Sequence, residues 1–188
     1  GFGGINLEDI SKPKCFTILD QLRERAEIPI WHDDQQGTAT VTLAGLINAL
    51  KVVGKNKDEI RLALLGAGAA SIACARLMFA WGVDPAKTVL VDGKGTLGKF
   101  RTDFDPSTPA YELSQNTNTE EKRGGIQEAM EDADVVIAYT MPGPGVIHPE
   151  WVKAMASDPI VFACANPVPE IWPWEAKVAG AAVVATGR

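Results

Sequence analysis

Two pairs of adjacent acids are the first residues in this chain whose type and spacing could do chemistry: Glu8-Asp9 and Asp33-Asp34, each following a short apolar stretch. Adjacent carboxylates on an open surface are ordinarily no more than solvated acids. At the carboxyl end of a strand, where open α/β sheets keep their chemistry, such side chains reach into a cleft, and carboxylates converging there need a cation to coexist. An oxygen-only donor set suits Mg²⁺ or Mn²⁺ better than zinc, because no His/Cys group has zinc spacing. Residue types alone leave both readings open, a metal site and solvated acids. His32 reads as a hydrogen-bonded strand-end residue rather than a ligand.

The second centre is Gly66-Ala67-Gly68-Ala69-Ala70-Ser71, which follows the apolar tetrad Leu62–Leu65 without a spacer. A buried strand feeding a glycine turn and then a helix is a place for an anion. Gly66 permits the bend, Gly68 lets the backbone approach a pyrophosphate, and a small residue at Ser71 lets the helix lie close to the sheet with its N-terminus toward the phosphates. Serine there is bulkier than the usual glycine or alanine. Thr88–Val91 reads as a second buried strand, and Asp92 at its end stands about two dozen residues after the turn, where a dinucleotide site places its ribose-binding acid. A bare packing turn and a solvated Asp92 are the bland alternatives.

The elements that must position these residues can be read in order. Pro13 opens a helix reaching about Arg25, with Cys15, Phe16, Ile18, Leu19 and Leu22 as its apolar stripe. Ile28–Trp31 is a short strand, Gln35–Thr38 turns the chain, and Thr38 caps a helix from Ala39 to Val53 that stops at Gly54. Residues 93–125, rich in Gly, Pro, Asn, Thr and Ser, read as irregular, with no long element before Glu120. A short helix over 125–132 leads to a strand at Val135–Ala138 and a loop carrying Thr140. A helix from His148-Pro149-Glu150 precedes a strand at Ile160–Ala163, which ends at Asn166-Pro167. A helix over Pro173–Val178 and a strand at Ala181–Ala185 follow. Strands alternating with helices over short loops predict an α/β fold, a Rossmann-like doubly wound parallel sheet with helices on both faces. A helix-strand-helix segment from an adjoining domain precedes it. The expected boundary puts residues 1–37 in that adjoining substrate and metal domain and residues 38–188 in the dinucleotide-binding domain.

Composition sets the outer limits. The 188 residues are 46% hydrophobic and 22% charged, which is ordinary for a globular chain. A net charge of −6 offers no basic stripe for nucleic acid. No apolar run approaches the ~20 residues of a membrane span, and no secretory leader is visible, so a cytoplasmic protein is expected. Cys15, Cys74 and Cys164 are widely spaced in apolar patterns and read as buried thiols. Gly1 and Arg188 both look like cut ends, as of an excerpt from a longer enzyme.

Taken together, Phe2-Gly3-Gly4-Ile5-Asn6-Leu7-Glu8-Asp9, Ile30–Ala39 (IWHDDQQGTA), the GAGAAS turn, Asp92-Gly93-Lys94-Gly95, Asn166-Pro167-Val168-Pro169-Glu170 and Ala185-Thr186-Gly187-Arg188 closely resemble the bacterial-type malic enzymes, from end to end. The resemblance implies oxidative decarboxylation of malate to pyruvate and CO₂, with NAD or NADP as hydride acceptor and Mg²⁺ or Mn²⁺ bound. It places the metal ligands at Glu8, Asp9 and Asp34, with Asp33 as a supporting acid that orients or tunes the site. It makes Asn166 the asparagine that meets substrate and nicotinamide together. Gly66, Ala67, Gly68, Ala69, Ala70 and Ser71 then hold the pyrophosphate, Asp92 holds the adenosine ribose, and Thr140 flanks the cofactor. It also implies a homo-oligomer, for which Trp151, Trp172 and Trp174 are interface candidates if they are not core.

Gln36 and Ser71 depart from the family's usual histidine and glycine, and neither departure removes a ligand. The family's general-acid tyrosine and general-base lysine are expected before Gly1, and a further substrate asparagine after Arg188. These residues alone are therefore expected to bind cofactor at best and to turn over malate poorly or not at all. Tyr111 and Tyr139 do not match the missing acid's context. Two rivals share the glycine turn but have no use for three clustered carboxylates: a non-catalytic dinucleotide-binding regulatory module, and another Rossmann-type oxidoreductase such as an amino-acid dehydrogenase.

Overall fold

The computed structural model describes residues 1–187. The Ala185–Arg188 motif is therefore described through Gly187, and its final arginine lies outside the described residues. The chain opens with β1 (Ile5–Leu7), α1 (Lys14–Arg25) and β2 (Ile30–His32). β1 and β2 pair in parallel, with Ile5 opposite Ile30 and Leu7 opposite His32, as a separate two-stranded sheet. The expected helix-strand-helix segment thus gains a strand, because the extended Ile5–Leu7 stretch finds an edge to pair with. Pro29 stays just outside β2, where its missing N–H costs no ladder bond.

Residues 35–38 do not turn the chain away, as the sequence led us to expect. Asp33–Gly37 form a π-helical turn that runs directly into α2 (Thr38–Val53). Gly37 already has helical backbone angles, and Thr38 caps nothing. The Asp33 carboxylate lies where a Cβ on residue 37 would collide with it, so the turn needs glycine there. Gly54, in the left-handed region at φ 68°, ends α2 as its position predicts.

The larger sheet comprises β3 (Leu62–Leu65), β4 (Thr88–Asp92), β5 (Gly95–Thr96), β6 (Val135–Ala138), β7 (Ile160–Ala163) and β8 (Val183–Thr186), in spatial order β5-β4-β3-β6-β7-β8. Only β5 runs antiparallel, as a short edge hairpin on β4. The helices α3 (Ala69–Trp81), α4 (Pro109–Asn116), α5 (Ile126–Met130), α6 (Pro149–Lys153) and α7 (Pro173–Val178) link these strands. Alternation along the strands divides the core in two. Leu62, Leu64, Leu90, Val135 and Ile137 join the cluster under α2 and α3, while Ala63, Leu65, Val91, Val136 and Ala138 join the cluster under α5, α6 and α7. Strands buried on both faces need continuous apolarity, and all four residues of β3, β6 and β7 are buried.

The reading of residues 93–125 requires correction. α4 breaks the expected irregular stretch, with the Thr108 hydroxyl accepting from the Tyr111 N–H and Pro109 at the first helical position. Asp-Pro-Ser-Thr-Pro is both a loop signature and a helix start, and here the Thr-Pro pair acts as the start. Trp151 is partly buried against the second core cluster, whereas Trp172 and Trp174 stack at 4.9 Å, with Trp174 61% exposed. No helix among the described residues is long and apolar enough to cross a membrane.

Candidate functional site

The sheet order reverses between β3 and β6, which are hydrogen-bonded neighbours although β4 and β5 come between them in the chain. Loops leaving neighbouring strands at such a switch point diverge to opposite faces and open a crevice at the strand carboxyl ends. The Gly66–Ser71 turn leaves β3 there, and Thr140 leaves β6. Gly66, Gly68, Asp92 and Thr140 line one groove, together with Lys12 from the segment before α1.

Gly66 has φ 111°, and a Cβ on it would lie 2.6 Å from the Tyr139 carbonyl oxygen. Only glycine lets the two strand ends approach this closely. Gly68 precedes α3 with extended backbone, and nothing stands within 4 Å of where its Cβ would be, so the turn presents open space to the groove. Ala69, Ala70 and Ser71 form the first turn of α3. Ser71 is fully buried, and its Oγ has no hydrogen-bond partner among the described residues. The bulk that the sequence flagged at Ser71 therefore takes the form of an unsatisfied hydroxyl under the turn, at a cost of about 1–3 kcal/mol.

On the other side of the turn, Asp34, Thr42, Ala69, Ala70, Tyr139 and Asn166 line a second cleft. This brings a carboxylate from the β2 end, the start of α3 and the asparagine after β7 to one opening. Parallel pairing of β1 with β2 carries both acid pairs to the same sheet edge. The Asp9 N–H donates to Asp34 Oδ2 at 2.9 Å. Glu8 Oε1 instead accepts from Asn6 Nδ2 at 2.8 Å, and Asp33 Oδ1 from Trp31 Nε1 at 3.4 Å. No three Asp, Glu, His or Cys side chains among the described residues are gathered tightly enough to hold an ion. By chemistry the all-carboxylate donor set suits a hard divalent cation. By arrangement Asp9 and Asp34 are neighbours, and the Glu8 side chain is turned to Asn6. His32 is fully buried, with Nδ1 3.8 Å from Asp34 Oδ2 and neither ring nitrogen hydrogen-bonded among the described residues.

Several residues that the sequence reading passed over shape these openings. Glu170 is fully buried, and its carboxylate accepts from the Thr140 N–H at 2.9 Å, the Thr140 hydroxyl at 3.0 Å and the Ala165 N–H at 3.0 Å. It ties the loop after β6 to the loop after β7, and so positions both Thr140 and Asn166. The Asn-Pro-x-Pro-Glu spacing was the available signal. Tyr139 reaches back to Thr42 of α2, with which its hydroxyl is hydrogen-bonded, and its hydroxyl lies 3.2 Å from Cys74 Sγ. Burial pushes the Tyr139 phenol far above its ordinary range, which keeps it neutral. Burial also pushes the Cys164 thiol up to about 12, with the nearby Glu170 charge adding to the shift. Lys12 Nζ contacts the Ala67 carbonyl at 3.4 Å, joining the first segment to the glycine turn. Asp92 is paired with Arg101 at 3.0 Å, a partner that no motif announced.

Comparison with known proteins bears on this geometry. The family model described as "Malic enzyme, NAD binding domain" matches residues 35–188. The crystal structure of Entamoeba histolytica malic enzyme superposes with a TM-score of 0.95 at 55% identity, covering 100% of this chain and 39% of that one. The NAD-dependent malic enzyme of Geobacillus stearothermophilus is 47% identical over 187 residues, 100% of this chain and 38% of its own length. The NADP-dependent malic enzyme of Halomonas elongata is 43% identical over 188 residues, 100% of this chain and 43% of its own. The chain thus spans less than half the length of these relatives. With the family model covering most of it and the glycine turn lying at the switch point of the sheet, the chain belongs to the malic enzyme family and carries that family's NAD-binding domain.

Proposed function

We propose that the chain works within an enzyme that oxidatively decarboxylates malate to pyruvate and CO₂, using NAD or NADP and a divalent Mg²⁺ or Mn²⁺ ion. The observation that carries this reading is the cleft shared by Asp34, Asn166 and the start of α3. A carboxylate, an amide and a helix N-terminus around one opening suit a dicarboxylic hydroxy acid beside a nicotinamide. Glu8, Asp9 and Asp34 would hold the ion, and Asp33 would support them. An ion bound there would supply Lewis-acid polarisation of the 2-hydroxyl and, after CO₂ leaves, of the enolate oxygen.

The chain's own residues do the rest. Gly66–Ser71 offer a bare turn and helix N-terminus to the pyrophosphate. Asp92 accepts from the adenosine ribose, and Thr140 flanks the cofactor where Glu170 fixes it. Asn166 has two donors and an acceptor, enough to meet a substrate carboxylate and a carboxamide together. The two-stranded sheet of β1 and β2, separate from the larger sheet, supports a boundary near residue 37 between a substrate and metal domain and the dinucleotide domain. We place the whole protein in the cytoplasm as a homo-oligomer, without membrane or nucleic-acid partners. The chain spans less than half the length of the relatives it matches, so the activity is proposed of the whole protein and not of these 188 residues alone.

The test is an assay of the full-length protein with malate, NAD and Mn²⁺, following pyruvate and reduced nicotinamide. The expected result is equimolar formation of both, abolished by a chelator and reduced at least about a hundredfold by Asp34→Ala. Malate-independent reduction, or turnover that survives chelation, would point to another oxidoreductase. One observation favours a non-catalytic dinucleotide module, namely the Glu8 carboxylate bonded to Asn6 rather than gathered with Asp9 and Asp34. That reading requires NAD binding with no pyruvate formed.

A further inference from the structure

The carboxylate at the end of β4 is part of a saturated ion-pair network. Asp92 Oδ1 accepts from Arg101 Nη1 at 3.1 Å and from the Lys94 N–H at 2.8 Å, while Oδ2 accepts from Arg101 Nη2 at 3.0 Å. The other edge of the same guanidinium faces Asp103, with Nε donating to Oδ1 at 2.6 Å and Nη2 to Oδ2 at 2.9 Å. The remaining Nη1 hydrogen faces the Thr96 carbonyl at 3.5 Å. A guanidinium has five N–H donors, and these contacts occupy all of them. Arg101 is only 12% exposed and lies over the Phe104 ring at 4.6 Å, so the fork is held in place. The Lys94 ammonium is also drawn to Asp103, at 2.9 Å from Oδ2.

We propose that Asp103 makes this chain selective for NAD over NADP, by occupying the cations that a 2′-phosphate would need. The inference rests on the reading above, in which Asp92 faces the adenosine ribose. A 2′-hydroxyl carries a proton, and Asp92 Oδ2, with one bond from Arg101, has a lone pair to accept it. A 2′-phosphate brings about two negative charges and acceptor oxygens, so it needs donors and net positive charge. The guanidinium offers neither, since its five donors are taken and Asp92 and Asp103 together outweigh its charge. Asp92 and Asp103 cancel Arg101 and Lys94, and the guanidinium can serve a phosphate only by stripping Asp103 of two hydrogen bonds. The Asp103–Lys94 pair is exposed enough to be screened and contributes little. The lock is the Arg101–Asp103 fork. Arg101 and Lys94 hold the Asp103 carboxyl well below the usual carboxylate range, so it stays ionised wherever the cofactor binds. On this account Asp92 accepts from the free 2′-hydroxyl of NAD, and Asp103 keeps Arg101 from the 2′-phosphate of NADP.

The experiment is calorimetric titration of the full-length protein with NAD and with NADP, unmodified and as Asp103→Ala and Asp103→Asn. The unmodified protein is expected to bind NAD at least about tenfold more tightly than NADP. Asp103→Ala releases the Nε and one Nη2 hydrogen while leaving the Asp92–Arg101 pair, and is expected to gain about tenfold or more in NADP affinity with NAD affinity within about threefold. Asp103→Asn, which keeps the side chain's shape and one acceptor, should shift the preference in the same direction by less, and stands in if the alanine variant does not fold. NADP preference in the unmodified protein overturns the proposal without recourse to any variant, and so does an unchanged cofactor ratio in a folded variant. If neither dinucleotide binds the unmodified protein, the dinucleotide reading itself falls; NAD binding with an unaltered ratio removes only the lock.

Discussion

Glu170 shows how much a single buried residue can organise. An ionised carboxylate away from water is tolerated only where donors replace the lost hydration, and Thr140 and Ala165 supply three. Glu170→Gln substitutes an amide N–H₂ for one accepting oxygen, so at least one donor faces another donor. The expected loss is about 1–3 kcal/mol of stability, read from the urea midpoint, and an unchanged midpoint would refute the clamp. Cys164 yields a prediction about pH. Its folded thiol is raised to about 12, whereas an unfolded thiol titrates near ~8.5, so the folded state binds more protons between these values. That contribution is fully present below pH ~8.5 and is lost as pH rises toward the folded value. Thermal melts should decline on the alkaline side, and Cys164→Ala should flatten part of that decline. At this scale sequence reading reached residues with a motif around them, such as Gly66, Asp92 and Asn166. It missed Arg101, because an ion pair nine positions apart across a hairpin has no signature of its own.

At the scale of elements, the glycine turn was legible because its requirements are local. Strand β3 ends, a left-handed bend follows, and the Tyr139 carbonyl leaves no room for a Cβ at Gly66. Gly66→Ala must adopt φ near 111° and push against backbone, which we expect to destabilise the fold by about 1–3 kcal/mol or more and to weaken NAD binding at least about tenfold. Full NAD affinity in a folded Gly66→Ala protein would remove the turn from the cofactor site. The strands of the large sheet were legible for a related reason, since burial on both faces forces uninterrupted apolar runs. Among the elements that were not are α4 and the π-helical turn. α4 is amphipathic and short, and its Thr108-Pro109 start lies inside a loop composition, so only the packed structure separates cap from turn. The π-helical turn at Asp33–Gly37, where Asp33 leaves no room for a Cβ on residue 37, has no periodicity to announce it.

For the whole molecule, topology does the positioning. The reversal of strand order at β3 and β6 opens the crevice, and the separate β1–β2 pair brings Asp9 to Asp34, which lines the cleft beside the start of α3. Strand alternation made the large sheet foreseeable, but the pairing of β1 with β2 was not, since three-residue strands say nothing about their partners. The account's central claim is that Glu8, Asp9 and Asp34 bind a divalent ion at that cleft. An equilibrium Mn²⁺ titration of the full-length protein, read by the paramagnetic signal of the free ion, tests it most directly. The account predicts one site per chain, weakened at least about a hundredfold in Asp34→Ala while NAD affinity is kept. Mn²⁺ binding that is absent, or that is indifferent to Asp34→Ala, would contradict it.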